Sequence, residues 1–150
     1  MTGVDQPTEG RFAGVEHRLP LRVYFEDTDL SGVVYHANYL RYMERARSDM
    51  LRLAGIDQRA TFEGGGGAYA IADLHIRYRA PARLDDALIV ASRVTATTPA
   101  RVVIHQTVRR EQEVLAEAVV TAALVAGNGR PLRQPAAWTD IFRRLIEGQE

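Results

Sequence analysis

One change of hydrophobic period divides this chain. Over residues 37–54 apolar side chains recur three or four apart: Tyr39, Met43, Ala46, Met50 and Ala54, widened by Leu40, Leu51 and Leu53. Arg41, Glu44, Arg45, Ser48, Asp49 and Arg52 fall mostly off that stripe. The spacing predicts an amphipathic helix of about five turns, ended by Gly55 in a left-handed conformation. Downstream the period becomes two. Leu74, Ile76 and Tyr78 form one alternating set, Leu88, Val90, Ser92 and Val94 the next, and Val102, Ile104, Gln106 and Val108 a third. A fourth run, 114–126, is apolar and small throughout. These read as strands, with turns at Thr97-Thr98-Pro99 and, as a hairpin, Arg110 to Glu113. Upstream, Leu19, Leu21, Val23 and Phe25 predict another strand, and Pro20 marks an edge or the start of pairing. One long helix followed by strands in series points to α+β rather than alternating βαβ units. The expected form is a five-stranded antiparallel sheet with the helix on one face. Its other face and an open edge call for oligomerisation.

The 150 residues fit one domain and can bury a core without staples. Residues 1–16 are polar, lack the blocks of a signal peptide and read as a flexible tail. The folded domain is expected over 17–150. Thr61 to Gly67 reads as a loop, a lid being the alternative to a plain solvent-exposed segment. Pro135 to Gly148 predicts a short helix with Trp138, Ile141, Phe142, Leu145 and Ile146 on one face. The chain has no cysteine. This excludes disulfides, thiolate nucleophiles and zinc–thiolate sites. Its formal net charge is zero, so there is no electrostatic case for nucleic acid. No apolar run is long enough to cross a bilayer. His17, His36, His75 and His105 are scattered without ligand spacing, so no metal site is expected. The strand positions of His75 and His105 suit a surface or an interface.

Functional side chains are densest from Tyr24 to Tyr39, between the first strand and the long helix. Glu26, Asp27 and Asp29 fall within four residues, next to Gly32 and a helix start. Free backbone amides at a helix N-terminus can hold the oxygen of a polarised carbonyl. A nearby carboxylate can attack the carbonyl carbon or deprotonate a water. Asp, Thr and Ser before a helix also serve as caps, and spacing alone favours capping over catalysis.

The string EDTDLSGVVYHANYLRYMERAR (26–47) closely resembles the signature of hotdog-fold thioesterases of the 4-hydroxybenzoyl-CoA thioesterase superfamily. It is nearest to the acyl-CoA thioesterases associated with the bacterial Tol–Pal system. IRYRAPARLDDALIVASRV (76–94) is similar to the same family, and the resemblance spans roughly 19–126. It implies a long central helix wrapped by a curved five-stranded sheet, with subunits paired as a homodimer or homotetramer and active sites at the interface. It implies hydrolysis of an acyl-CoA to acid and CoA without cofactor or metal. An acyl-carrier-protein thioester is a further candidate substrate. The implied location is the cytoplasm, with peripheral association at the inner membrane.

Asp29 matches the family's essential carboxylate, the second Asp of Asp-x-Asp. The His36 amide falls where the thioester oxygen is bound, and its side chain matches the histidine of the Tol–Pal branch. Gly32 matches the turn glycine. Tyr24, Phe25, Gly32, Val33 and Tyr35 are the expected substrate contacts. Phe25 stands where some relatives carry tyrosine, so a phenol hydroxyl is missing there. Arg77, Arg79, Arg83 and Arg93 are candidates for the phosphates of coenzyme A. The rival readings are a hydroxyacyl-thioester dehydratase on the same fold, a non-catalytic acyl-CoA or acyl-carrier-protein binding module, and a scaffold partner of lipid synthesis.

Overall fold

A computed structural model describes residues 5–148. Residues 1–4 of the expected tail, and 149–150, lie outside it. Six strands form one sheet: β1 (Arg11–Ala13), β2 (Glu16–Arg22), β3 (Ala68–Tyr78), β4 (Ala87–Thr98), β5 (Arg101–Arg110) and β6 (Glu113–Val125). Every pairing is antiparallel and the order is β1-β2-β4-β5-β6-β3. The helices are α1 (His36–Leu53), α2 (Gln58–Glu63) and α3 (Ala136–Glu147). A long helix against an antiparallel sheet, with a short C-terminal helix, is the hotdog fold.

The sheet has six strands where five were expected. The extra strand, β1, lies in the stretch read as a tail and pairs Arg11 with Arg18 and Ala13 with Glu16. Three residues are too few to show a period. Other boundaries also move. β2 ends at Arg22, so Phe25 leaves the strand for a short 3-10 turn, Phe25–Asp27. Thr97 and Thr98 remain in β4. The first three residues of the expected loop at Thr61 to Gly67 are helical, because α2 runs to Glu63 and is capped by Asp57, which accepts from the Ala60 amide at 2.9 Å. Gly55, at φ +97°, does end the region of α1 as expected.

Of the stripe of α1, Leu53 is exposed and Leu40 and Ala54 are half-buried, whereas Tyr39, Ala46 and Leu51 are buried, and Met43 and Met50 fully so. Each fully buried side chain of that size contributes about 1.5–3 kcal/mol. Asp49, expected off the stripe, is buried too. It accepts from His17 Nε2 at 2.7 Å, from the Gly10 amide at 2.8 Å and from Arg52 at 2.8 Å. Across the sheet, His17 lies opposite Ser92, and Ser92 opposite Gln106. Gln106 Nε2 donates to Ser92 Oγ and to the Met43 carbonyl, both at 2.9 Å, and Arg47 donates to its Oε1 at 2.9 Å. This buried polar row separates two apolar clusters. One, with Tyr39, Met43, Val90 and Val108, supports the start of α1. The other, with Met50, Ile104 and Phe142, lies under its end and α3.

Candidate active site

The segment between β2 and α1 is a narrow hairpin. Thr28 and Val34 form a bridge across it. The Asp29 amide donates to the Val33 carbonyl at 2.9 Å, and the Gly32 amide to the Asp29 carbonyl at 3.2 Å. Gly32 has φ +83°, a conformation that L side chains adopt only with strain. Its return arm, Val34-Tyr35, leads directly into α1. Asp29 and the first helical turn therefore sit on the two arms of one tight loop.

Asp27 holds that loop to its neighbours. Its carboxylate accepts from the Tyr24 amide at 2.9 Å. Its carbonyl accepts from the Tyr35 amide at 2.9 Å and from Asn38 Nδ2 at 2.8 Å. A further strap runs to the loop before β4, where Val33 bridges Arg83 and the Val34 amide donates to the Ala82 carbonyl at 2.8 Å. The Tyr39 hydroxyl accepts from the Ala82 amide at 2.9 Å.

None of the three carboxylates caps α1. Tyr35 is the N-cap residue and makes no side-chain cap bond. The Asn38 amide donates to the Tyr35 carbonyl at 2.8 Å. The amides of His36 and Ala37 have no partner among the described residues. The two donors nearest the helix start are thus open to a ligand, where the macrodipole also favours negative charge.

Asp29 is exposed. Its Oδ1 accepts from the Ser31 hydroxyl at 2.5 Å and from the Ser31 amide at 2.7 Å. These bonds, the hydroxyl's foremost, hold its pKa below the ordinary carboxylate value of 3.8. They stabilise the charged form, so the group is ionised at neutral pH.

The expected substrate contacts fall into two sets. Gly32, Val33 and Tyr35 belong to the Asp29 hairpin, and the Tyr35 ring packs on the His36 imidazole with centroids 4.5 Å apart. Tyr24 and Phe25 stand apart, at the 3-10 turn, and Phe25 is 80% exposed. Tyr24 lines a groove of about 620 Å³ with Glu26, Asp27 and Arg45; Asp29 is not part of it. A residue that sequence reasoning used only as a strand marker also belongs here. Tyr78, at the end of β3, donates from its hydroxyl to the His36 carbonyl at 2.9 Å. The two lie 42 residues apart, and only the second family-like string hinted that its region mattered.

The arginine candidates separate as well. Arg79 pairs with Glu117 at 2.6 Å. Arg77, Arg83 and Arg93 make no ion pair among the described residues. Arg77 and Arg93 alternate with inward residues and so face away from α1. Arg83 lies on the strap beside Val33. His75 and His105 both register with Val119 on that outer face, in keeping with surface positions. No group of three metal-ligating side chains is found among the described residues.

A sequence profile of the thioesterase superfamily matches residues 31–117. The chain is 38% identical over 127 residues to the acyl-CoA thioesterase YbgC of Haemophilus influenzae, covering 84% of this chain and 93% of that protein. Among solved structures, a probable thioesterase from Bartonella henselae superposes with a TM-score of 0.75 at 35% identity, over 80% of this chain and 99% of that one. A Thermus thermophilus thioesterase complexed with coenzyme A and zinc gives 0.75 at 26% identity, over 91% and 98%. With more than half its length matched by the profile, and relatives of this likeness along nearly their whole length, the chain belongs to the thioesterase superfamily and is an enzyme of that family.

Proposed function

We propose that the protein hydrolyses acyl-CoA thioesters at the Asp29 hairpin. The observation that carries this is the pair of amides, His36 and Ala37, that have no partner among the described residues, at the start of α1 on the same loop as an ionised Asp29. Amides placed there stabilise the oxygen of a tetrahedral intermediate as negative charge develops. The Asp29 carboxylate attacks the thioester carbon, or takes a proton from the water that does. The His36 imidazole, held against Tyr35, orients substrate or water. Gly32, Val33 and Tyr35 shape the acyl end of the site, and Tyr24 and Phe25 its outer rim. Arg83, beside Val33 and without an ion pair among the described residues, meets a coenzyme A phosphate. The names of the relatives support acyl-CoA as the substrate class, and a carrier-protein thioester presents the same reacting bond.

The enzyme acts in the cytoplasm as a homodimer or a dimer of dimers. The absence of cysteine and the open β3 edge support this reading. No helix among the described residues is long and apolar enough to cross a membrane. Peripheral association at the inner membrane belongs with the resemblance to the Tol–Pal branch.

The test is thiol release across short, long and aromatic acyl-CoAs, with Asp29→Asn as the comparison. Hydrolysis of at least one class, reduced at least 100-fold by the substitution, is expected. Tight acyl-CoA binding without thiol release would make the protein a binding module instead. A folded Asp29→Asn enzyme with full activity would remove Asp29 from the chemistry. Single-turnover hydrolysis in oxygen-18 water then separates the two routes, since label enters the Asp29 carboxylate only through an acyl-enzyme anhydride.

A further inference from the structure

Tyr78 is the last residue of β3, and its ring is 44% exposed. Its hydroxyl reaches across to the first carbonyl of α1, that of His36, at 2.9 Å. Its ring meets the His36 imidazole edge-on, with centroids 6.2 Å apart at 90°, and the Tyr39 ring at 5.5 Å and 73°. The Tyr35 ring lies against the same imidazole, with centroids 4.5 Å apart. The helical ladder begins at the carbonyl of the N-cap Tyr35 and continues at that of His36, so the bond from Tyr78 is an addition to the one the His36 carbonyl accepts within the helix.

The carbonyl of His36 and the amide of Ala37 are the two ends of one peptide group. Pinning the carbonyl fixes the plane of that group and hence the direction of the Ala37 N–H. A carbonyl that accepts an extra hydrogen bond also polarises its peptide, which strengthens the N–H as a donor. Both effects act on an amide that has no partner among the described residues. Burial pushes the Tyr78 phenol above its ordinary pKa, so it remains a protonated donor throughout the working range.

We propose that Tyr78 is a positioning residue for thioester hydrolysis: through the His36 carbonyl it aims and strengthens the Ala37 amide at the oxyanion end of α1, and its ring edge holds the His36 imidazole. It acts from a sheet edge on a helix start, through a peptide group rather than on the substrate. The proposal rests on the hydrolytic reading above.

Tyr78→Phe keeps every ring contact and removes only the donor. Removing a whole oxyanion donor costs about 100–1,000-fold in kcat, and here a donor is weakened rather than lost. A fall in kcat of roughly 3–10-fold is expected, with KM within about twofold of the parent. A second measurement reads the polarisation directly. The carbonyl stretch of an aromatic acyl-CoA bound to Asp29→Asn is expected to move to lower frequency than in the free thioester. That displacement shrinks in Asp29→Asn/Tyr78→Phe. It is recorded well below the unfolding midpoint of each protein, so a modest loss of stability does not obscure it. An unchanged kcat with an unchanged carbonyl stretch overturns the proposal. So does a loss expressed wholly in KM, which would make Tyr78 a binding residue. Failure of the hydrolytic reading looks different: the parent protein releases no thiol from any acyl-CoA.

Discussion

At Asp29 the local bonds decide the pH behaviour. Its folded pKa is depressed, chiefly by the Ser31 hydroxyl. A depressed carboxylate loses its charge only below its unfolded value, and any stability it adds is present above that value and lost as pH falls through the folded one. The acid limb of kcat/KM is therefore expected below pH 3.8, the ordinary carboxylate value. Ser31→Ala removes the strongest of the bonds, so the limb should move up toward the ordinary range while the neutral-pH rate changes little. A carbon-13 titration of the Asp29 carboxyl alongside pH-jump kinetics checks both; a limb that stays put in Ser31→Ala disconnects it from Asp29. Arg83 offers a different separation. If it meets a phosphate of coenzyme A, Arg83→Ala raises KM for acyl-CoAs by about 5–30-fold, as for a charged hydrogen bond of about 1–2 kcal/mol. It leaves KM unchanged for a truncated N-acetylcysteamine thioester, which has no phosphate to lose. Equal effects on the two substrates would rule out the phosphate contact.

At the scale of elements, Asp49 joins three parts of the chain: the residue before β1, the start of β2 and the far half of α1. It is almost wholly buried, as is His17, whose Nδ1 has no hydrogen-bond partner among the described residues. Asp49→Ala would leave both ring nitrogens and the Gly10 amide without a protein partner. A loss of about 3–5 kcal/mol in unfolding free energy is expected, the cost of breaking a buried pair from one side. Asp49→Asn should lose less, because its oxygen still accepts from Gly10. Urea unfolding checks the order of the two. Activity at room temperature should survive in both, since Asp49 is 13 positions, about 20 Å of helix, beyond His36. This latch shows where sequence reading stops. Periodicity found α1 and the long strands because each repeats its pattern several times. It also placed Ser92 and Gln106 in phase with the inward valines, where the polar row is found. It did not find β1, α2 or the burial of Asp49, because three residues, six residues and a single carboxylate carry no period. The hairpin that carries Asp29 and Gly32 into α1 coincides with the long motif. The Asp27 hub was not legible, because its bonds to Tyr24, Tyr35 and Asn38 repeat no pattern, and neither was Tyr78, whose bond to His36 spans 42 residues.

For the molecule as a whole, the unfinished feature is the edge of the sheet. β3 has eleven residues and, among the described residues, pairs only with β6. A bulge between Ile71 and Asp73 shifts its register, so Tyr69, Ile71, Leu74, Ile76 and Tyr78 all lie opposite residues of the helix-side face. Ile71 and Leu74 are nevertheless 48% and 38% exposed, and Ile71 lines a cleft of about 150 Å³ between this strand and α1. A long open edge with an apolar inner face invites another strand. A second copy is the self-complementary solution, because a two-fold axis across an antiparallel edge presents each chain with the same strand. That edge also borders the site: Tyr78 holds the His36 carbonyl, and Asp29, exposed in a single chain, has no element of its own to exclude water from it. A dimer across this edge should therefore be required for hydrolysis. Leu74→Lys places a charge on the inner face of the edge without touching the Asp29 hairpin or the polar row. It is expected to shift the protein from dimer to monomer in sedimentation velocity and to lower kcat/KM for acyl-CoA at least 10-fold, with raised protein concentration restoring both together. A Leu74→Lys protein that stays dimeric, or a monomer with full thiol release, would show that the site is complete within one chain and that β3 is covered in some other way.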